Sequence, residues 1–489
     1  MQSPLAVVIG SGVGGMAVAI RLAVKGYSVT VYEKNASAGG KLDLFEKDGY
    51  QFDAGPSLFT QPQLIEELFA LAGEPIDPYF QYTPVPLACR YFWENGKSVD
   101  AFTHPDSLAR EMNQKLGEDP EKVKKYLKRA DKAYSSIGTL FLDHPLHRSA
   151  TWLSRKLLPA ISATRLGYLT STMHGFNRSW FKSAEAVQLF DRFATYNGSD
   201  PYQAPAMLTM IPHLEHNEGV FYPKGGMISI PTALYQLALK KGVKFVFNTR
   251  VEKINHQGNE VQGIQVGGKQ VKAELVVSNM DVYYVYKELL NDEKATAKVL
   301  KRERSSSALI FYWGIRKSFP KLHLHNIFFS ENYKAEFEHL FKLQRMYDDP
   351  TIYINITSKM EAGFCPEGHE NWFVMVNAPA ESGQDWPAMI ARTRTLILQK
   401  LKRMLGEDIA SQIATEIILD PVGIEKHSLS YRGSLYGTSS NEKLAAFLRH
   451  HNDSSSLKGL YFTGGSVHPG GGIPLCLKSA QIVAGMVSP

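Results

Sequence analysis

The amino-acid sequence predicts an α/β protein: a Rossmann-like dinucleotide-binding domain interrupted by an inserted α+β domain. Two observations carry that expectation. Near the start, the apolar run LAVVIG ends in three glycines spaced Gly10-x-Gly12-x-x-Gly15, and good helix formers continue to Gly26. A second apolar run, SVTVYE, then finishes on Glu33, 18 residues beyond Gly15. Strand, glycine turn, helix and acid-tipped strand are the parts of a βαβ unit that grips a dinucleotide.

Each part has a physical role. Gly10 permits the turn, Gly12 lets a pyrophosphate approach the backbone, and Gly15 lets helix and strand pack closely. The helix start, with Val13 and Gly14, offers free amides and a positive dipole end to the phosphates. Glu33 is placed to bond the ribose hydroxyls, and Lys34 follows it in the same expected site. NAD and FAD both use this unit, so the choice between them rests on later segments. The doublet Gly39-Gly40 with Lys41 comes first, then QFDAGPSLF at 51–59, with Gly55, Pro56 and Ser57.

Length and composition set the frame. At 489 residues with 44% apolar and 21% charged side chains, the chain can bury a large core in two or three domains. The three cysteines, Cys89, Cys365 and Cys476, are far apart and contain no C-x-x-C pair, which argues against a disulfide framework or a thiolate metal site. The histidine pairs His144/His147 and His213/His216 lack a metal-ligand context, so no metal is expected. The chain passes from Met1 into a strand within a few residues, with no charged-then-apolar leader, and it holds no run of 18 apolar residues. A cytoplasmic protein, soluble or peripheral to a membrane, is expected. A net charge of +6 without a dense Lys/Arg tract speaks against nucleic acid and leaves an anionic membrane surface as the more plausible attraction.

Two further segments fit the nucleotide domain. In 219–254, a glycine turn leads to a helix with an apolar stripe at Ile230, Ala233, Leu234, Leu237 and Ala238, then to the strand VKFVFN, which is expected to rejoin the sheet. In 460–487, the strand LYF runs into Gly464-Gly465, the loop HPGGG and a helix opening at Ile473-Pro474, with Pro in the first turn.

Together, the glycine motif, Glu33, Gly39-Gly40-Lys41, DAGPSLF, YPKGGM and HPGGGIP resemble the flavin amine oxidase and carotenoid desaturase superfamily. Within it they look most like bacterial carotenoid desaturases of the phytoene desaturase type, and the wording is similar to the hydroxycarotenoid 3,4-desaturase branch. The resemblance implies FAD, with a backbone contact to adenine at Val251 and a flavin edge facing Gly465, Gly472 and Ile473. No cysteine-bearing attachment motif is evident, so the FAD is expected to be non-covalent. Lys41 departs from the arginine common in relatives, and Gly465 from the acid common in amine oxidases.

The FAD domain is therefore expected to be discontinuous, from 1–80, 219–282 and 421–489, with 81–218 and 283–420 forming a substrate domain. Runs such as SSSALIFYWGI, 305–315, and TIYINIT, 351–357, predict a sheet there, and one face is a candidate wall of a substrate channel. The aromatic residues Phe311, Tyr312 and Trp313 are either part of that wall or ordinary core. Between Asp143 and Glu185 the chain has no acid but six bases: Arg148, Arg155, Lys156, Arg165, Arg178 and Lys182. They alternate with Trp152, Tyr168, Phe176, Trp180, Phe181 and several leucines, so 144–183 reads either as a helical segment lying in a membrane interface or as a basic face over the protein's own core.

The implied function is carotenoid desaturation. A hydride would pass from the substrate to FAD and a proton would leave the adjacent carbon, with no catalytic residue assigned. A 1-hydroxycarotenoid drawn from the bilayer and desaturated at the 3,4-bond is the leading substrate, with phytoene desaturation as the alternative. An amine oxidase and a non-catalytic isoprenoid-binding protein are the readings from other classes.

Overall fold

The computed structural model describes residues 3–145, 168, 171–442 and 449–488. Strand Leu5–Ile9 lies at the centre of a five-stranded, all-parallel sheet ordered Leu460–Phe462, Leu275–Ser278, Leu5–Ile9, Ser28–Tyr32, Lys244–Val246. In register, Val8 stands between Val31 and Val277, and the strand that VKFVFN supplies pairs Lys244 with Thr30. A parallel sheet needs both faces covered. Helices Val13–Val24, Ser229–Lys240 and Ile473–Met486 cover one face through Met16, Ile20, Ile230, Leu234, Leu237, Leu477 and Val483. The stripe from Ile230 to Ala238 is wholly buried there. Each of its large aliphatic side chains contributes roughly 1.5–3 kcal/mol. On the other face, Val7, Ile9 and Val276 meet Ile254, Val261 and Ile264 of the antiparallel strands Lys253–Gln257 and Glu260–Val266.

A second, seven-stranded mixed sheet is drawn from the stretches between these segments. Its order is Ile413–Leu419, Ser307–Ile315, Glu370–Ala378, Ile352–Ile356, His325–Phe328, Leu87–Phe92, Ser98–Phe102. Strand Ser307–Ile315 is buried along its whole length, so the two-residue period appears in what it touches rather than in its polarity. Leu309, Phe311, Trp313 and Ile315 pack with Trp372 and Val374 against helix Trp386–Leu405. Ala308, Ile310 and Tyr312 face the other way, toward Tyr50 and Phe52 of the hairpin Asp43–Lys47/Tyr50–Ala54. The second sheet thus turns one face to its own helix and the other to the nucleotide-binding half.

Helices Pro105–Leu116, Pro120–Ala133 and Ala184–Asp191 pack beside Tyr91 and Ile327 of this sheet around an aromatic core of Tyr126, Phe176, Phe181 and Phe190. Most of the basic-aromatic segment 144–183, namely 146–167, 169 and 170, lies outside the described residues. In the described part the interfacial expectation is corrected. Tyr168, Phe176 and Phe181 are buried in this core, and Arg129 lies over the rings of Tyr168 and Phe176. Burial against protein satisfies these rings, leaving Arg178 and Lys182 at the surface as a basic face. No helix among the described residues is long and apolar enough to cross a membrane.

Candidate active site

All parallel strands of the first sheet deliver their C-terminal ends to one crevice, where open α/β sheets place ligands. Strand Leu5–Ile9 ends at the first glycine turn, Ser28–Tyr32 at Glu33, Leu275–Ser278 at Asn279 and Leu460–Phe462 at Gly464-Gly465. A cavity of about 500 Å³ begins at Glu33, passes these turns and continues under the mixed sheet.

Of the residues expected to hold the cofactor, Gly10, Gly12, Val13, Gly14, Glu33, Lys34, Gly40, Lys41, Gly55, Pro56, Ser57, Val251, Gly465, Gly472 and Ile473 line this cavity. Gly15 does not. A Cβ there would sit 2.1 Å from the carbonyl oxygen of Gly10, so its role is to let the helix close on the turn. Glu33 accepts hydrogen bonds from the Ser11 amide at 2.8 Å, the Ser11 hydroxyl at 2.9 Å and the Asn35 amide at 2.9 Å. A carboxylate offers about four lone-pair positions, so Glu33 braces the first glycine turn and still has acceptor capacity for a ribose hydroxyl.

The doublet Gly39-Gly40 sits directly on that turn: the Gly39 amide donates to Ser11 O at 3.1 Å. Lys41 follows it into the interior, where its ammonium donates to Leu435 O at 2.8 Å. Burial pulls its pKa below the ordinary lysine value, with Cys476 and Asp281 acting against that pull. Lys34 is tied to Lys426 O at 3.0 Å. Behind Gly40 and Lys41, Asp53 accepts from the amides of Met227 at 2.9 Å and Ile228 at 3.3 Å, just ahead of helix Ser229–Lys240. Burial raises its pKa to about 6 against those two bonds.

Asn279 is a cavity residue that motif reading missed. Its amide fills the space that side chains would need at three glycines: a Cβ would meet its Nδ2 at 2.7 Å from Gly12, and its Oδ1 at 2.8 Å from Gly14 and 2.5 Å from Gly464. The available signal was its place immediately after a parallel strand, at the edge where such sheets bind.

The arrangement fits an extended dinucleotide carrying a flavin. The acid lies at one end and a strip of exposed backbone crosses the middle. At the other end stands the N-terminus of helix Ile473–Met486, capped by Gly472 at φ 112°. A Cβ on Gly472 would meet no protein atom within 4 Å, so the cavity is open beside the start of this helix. The first-turn amides of Ile473 and Leu475 have no acceptor within the helix and stand ready for an electron-rich ring edge. Gly465 is closely packed as well, since its Cβ would lie 3.3 Å from Gly471 Cα.

Beyond the glycine turns the cavity becomes apolar. Leu419, Ile310, Met375, Tyr353 and Ile327 are direct lateral neighbours on five successive strands, and all five line it. With strands about 4.8 Å apart, this row makes a wall roughly 19 Å long. Ile310, not Phe311 or Trp313, is what strand Ser307–Ile315 contributes; of the expected aromatic residues, none faces the cavity. Leu208, Met210, Ile211 and Leu214 also line it, clustered with Ile327 and Tyr353.

Residues 13–488 match the family model for flavin containing amine oxidoreductases. The chain belongs to that family. FAD is accordingly its cofactor. Among curated relatives, a 1-hydroxycarotenoid 3,4-desaturase from Flavobacterium sp. (strain P99-3) is 49% identical over 99% of this chain and 98% of its own length. A 4,4'-diapolycopene oxygenase from Methylomonas sp is 32% identical over 98% of this chain and 96% of its own. Among solved structures, an oxidoreductase from Methanosarcina mazei superposes with a TM-score of 0.65 over 98% of this chain and 99% of that one, at 14% identity, a likeness of fold alone.

Proposed function

We propose that this flavoenzyme desaturates a carotenoid, and that its substrate carries a hydroxyl at C1 and gains a double bond between C3 and C4. The observation that carries the reading is the end-to-end likeness to the Flavobacterium desaturase. The apolar wall from Leu419 to Ile327 supports it, because a stiff polyene needs a long straight groove rather than a compact cage. Bound FAD supplies the acceptor for the hydride lost by the substrate. The chain's own residues orient and enclose. Ile310, Met375 and Ile327 hold the polyene along the wall, Leu208, Ile211 and Leu214 enclose it beside Ile327, and water is kept from the reacting carbons. The amides at the start of helix Ile473–Met486 favour negative charge beside them, which promotes acceptance of the hydride.

The substrate partitions into lipid, so the enzyme is read as docking on a membrane from the cytoplasm. Arg148, Arg155, Lys156 and Arg165, set among Trp152, Leu153, Leu157 and Leu158 with no acid between them, are the residues that would meet anionic lipid. Changing Arg155, Lys156 and Arg165 to Glu is expected to weaken liposome flotation in a salt-dependent way, with FAD content unchanged; unaltered flotation would remove this part of the reading. The reaction itself is tested by incubating FAD-loaded protein anaerobically with liposomes carrying phytoene, lycopene or a 1-hydroxycarotene and separating the products. One new double bond for each flavin reduced is expected. An added oxygen atom, or flavin bleaching with no change in the polyene spectrum, would overturn the desaturase reading.

A further inference from the structure

At the Ile327 end of the apolar wall the cavity changes character. Arg192, which follows helix Ala184–Asp191, reaches in beside Glu215, and its Nη2 donates to both carboxylate oxygens at 2.9 and 3.0 Å. Tyr196 also donates to Glu215. Burial is the largest influence and opposes charge on Glu215, but Arg192, His216 and the Tyr196 hydrogen bond together hold the carboxyl below its usual range. The two charges cancel, so this end does not attract a carboxylate or an amine, although Arg192 Nε keeps no partner of its own among the described residues.

Among the described residues, Arg192 Nε and the Tyr333 hydroxyl are unpaired but sealed within the protein, whereas His325 offers a donor that is not sealed. His325 opens strand His325–Phe328 and is only 2% exposed, yet it lines the cavity. Its Nδ1 lies 2.8 Å from the Tyr353 hydroxyl and 3.2 Å from Asn355 Nδ2. Asn355 Nδ2 also donates to Leu324 O at 3.2 Å, which fixes that atom as the amide nitrogen. Nδ1 is thus an acceptor, and the ring hydrogen sits on Nε2, for which no partner exists among the described residues. Burial lowers the His325 pKa to about 4, so the ring is a neutral donor at physiological pH. The Tyr353 hydroxyl continues to Ser57 Oγ at 2.8 Å, tying the ring to the cofactor-lining turn Gly55-Pro56-Ser57.

A donor that the substrate shuts off from water must find its acceptor in that substrate, and a hydrocarbon carotene offers none. We propose that His325 Nε2–H, positioned by Tyr353 and Asn355, holds the oxygen of a tertiary alcohol at the end of the substrate and makes the enzyme selective for hydroxylated over hydrocarbon carotenoids. The inference rests on the desaturase reading, and the chemistry of that substrate agrees with the location. The hydroxyl-bearing C1 is two bonds from C3, so whatever holds the hydroxyl must stand at the reacting end of the cavity, where Ser57 links His325 to the cofactor turn.

The test compares kcat/KM for a linear carotene bearing a C1 hydroxyl with that for the same carotene lacking it, using FAD-loaded enzyme. Wild type is expected to favour the alcohol by about tenfold to a hundredfold. His325→Leu should cut that ratio at least about tenfold, and His325→Gln, which keeps a donor near the Nε2 position, should restore much of it. A wild-type ratio near one, or a ratio unchanged in His325→Leu, overturns the proposal while leaving the desaturase reading intact. Should His325→Leu fail to retain FAD, Tyr353→Phe takes its place, with a smaller fall in the ratio expected and no fall overturning the proposal. If wild type dehydrogenates neither carotene, the desaturase reading fails. Retention of the two carotenes by the oxidised holoenzyme then decides the inference: tighter retention of the alcohol upholds it and equal retention ends it.

Discussion

The cofactor end and the substrate end of the cavity are built on opposite plans. At the cofactor end, backbone makes the surface: glycine turns sit on the ends of parallel strands, Asn279 plugs the space their missing side chains leave, and a helix points its amides inward. At the substrate end, side chains make the surface, with one residue from each of five strands in a single lateral row. A backbone surface tolerates little change at most of its glycines: a methyl meets a main-chain oxygen at Gly15, Gly39 and Gly55, and the Asn279 amide at Gly12, Gly14 and Gly464. A side-chain wall needs only size and polarity at each position, so it can be re-cut for a different substrate without disturbing the fold. Retention of the flavin and choice of the carotenoid are thereby separated in the same cavity.

Substitutions on each side sharpen this contrast. The largest effect is expected from Gly15→Val, whose side chain collides with Gly10 O. Loss of at least about 3 kcal/mol is expected, read as loss of soluble, yellow protein. A folded, FAD-loaded variant would break the idea of a rigid backbone surface. Next comes Met375→Trp at the middle of the wall. It should lower kcat/KM for carotene about a hundredfold by displacing the polyene while FAD content and thermal stability hold; loss of flavin instead would mean the two ends are not separable. Glu33→Ala should weaken FAD by roughly 1–2 kcal/mol, about tenfold, measured by flavin release, and leave the ratio between carotenes untouched.

The smallest effect concerns Asp53. Its folded pKa, about 6, lies above the ordinary 3.8, so the folded state takes up its proton first. Its penalty on stability is therefore full above pH 6 and fades as pH falls toward 4. Between pH 7 and 5, wild type should gain about 1 kcal/mol relative to Asp53→Asn, seen as a change in the difference of their unfolding temperatures.

The two plans also explain what could be read from the sequence. Four strands of the nucleotide sheet, the helices around it and nearly every glycine at the cavity were legible, since a backbone site demands particular residues at fixed short spacings; strand Leu275–Ser278 carries no such motif and was not read. Asn279 escaped because a single amide after a strand carries no spacing of its own. The wall escaped residue by residue. The aromatic run Phe311-Tyr312-Trp313 drew attention by size, yet alternation along a fully buried strand sends Phe311 and Trp313 to the helix side and leaves Ile310 at the cavity. Only the register between strands, set by pairings up to hundreds of residues apart, decides which side chains meet. His325 and Glu215 were silent for the same reason: each is an ordinary residue until the fold brings it beside Tyr353 or Arg192.

The parallel sheet also dictates when the protein can begin to work. Its first two strands leave the ribosome within the opening 32 residues, but the outer strand Leu460–Phe462 and helix Ile473–Met486 are synthesised more than 400 residues later. Until then the crevice lacks one edge, and the nascent chain must shield Val276, Val277 and the stripe on helix Ser229–Lys240 by other means. The complete flavin crevice therefore exists only once nearly the whole chain has been made.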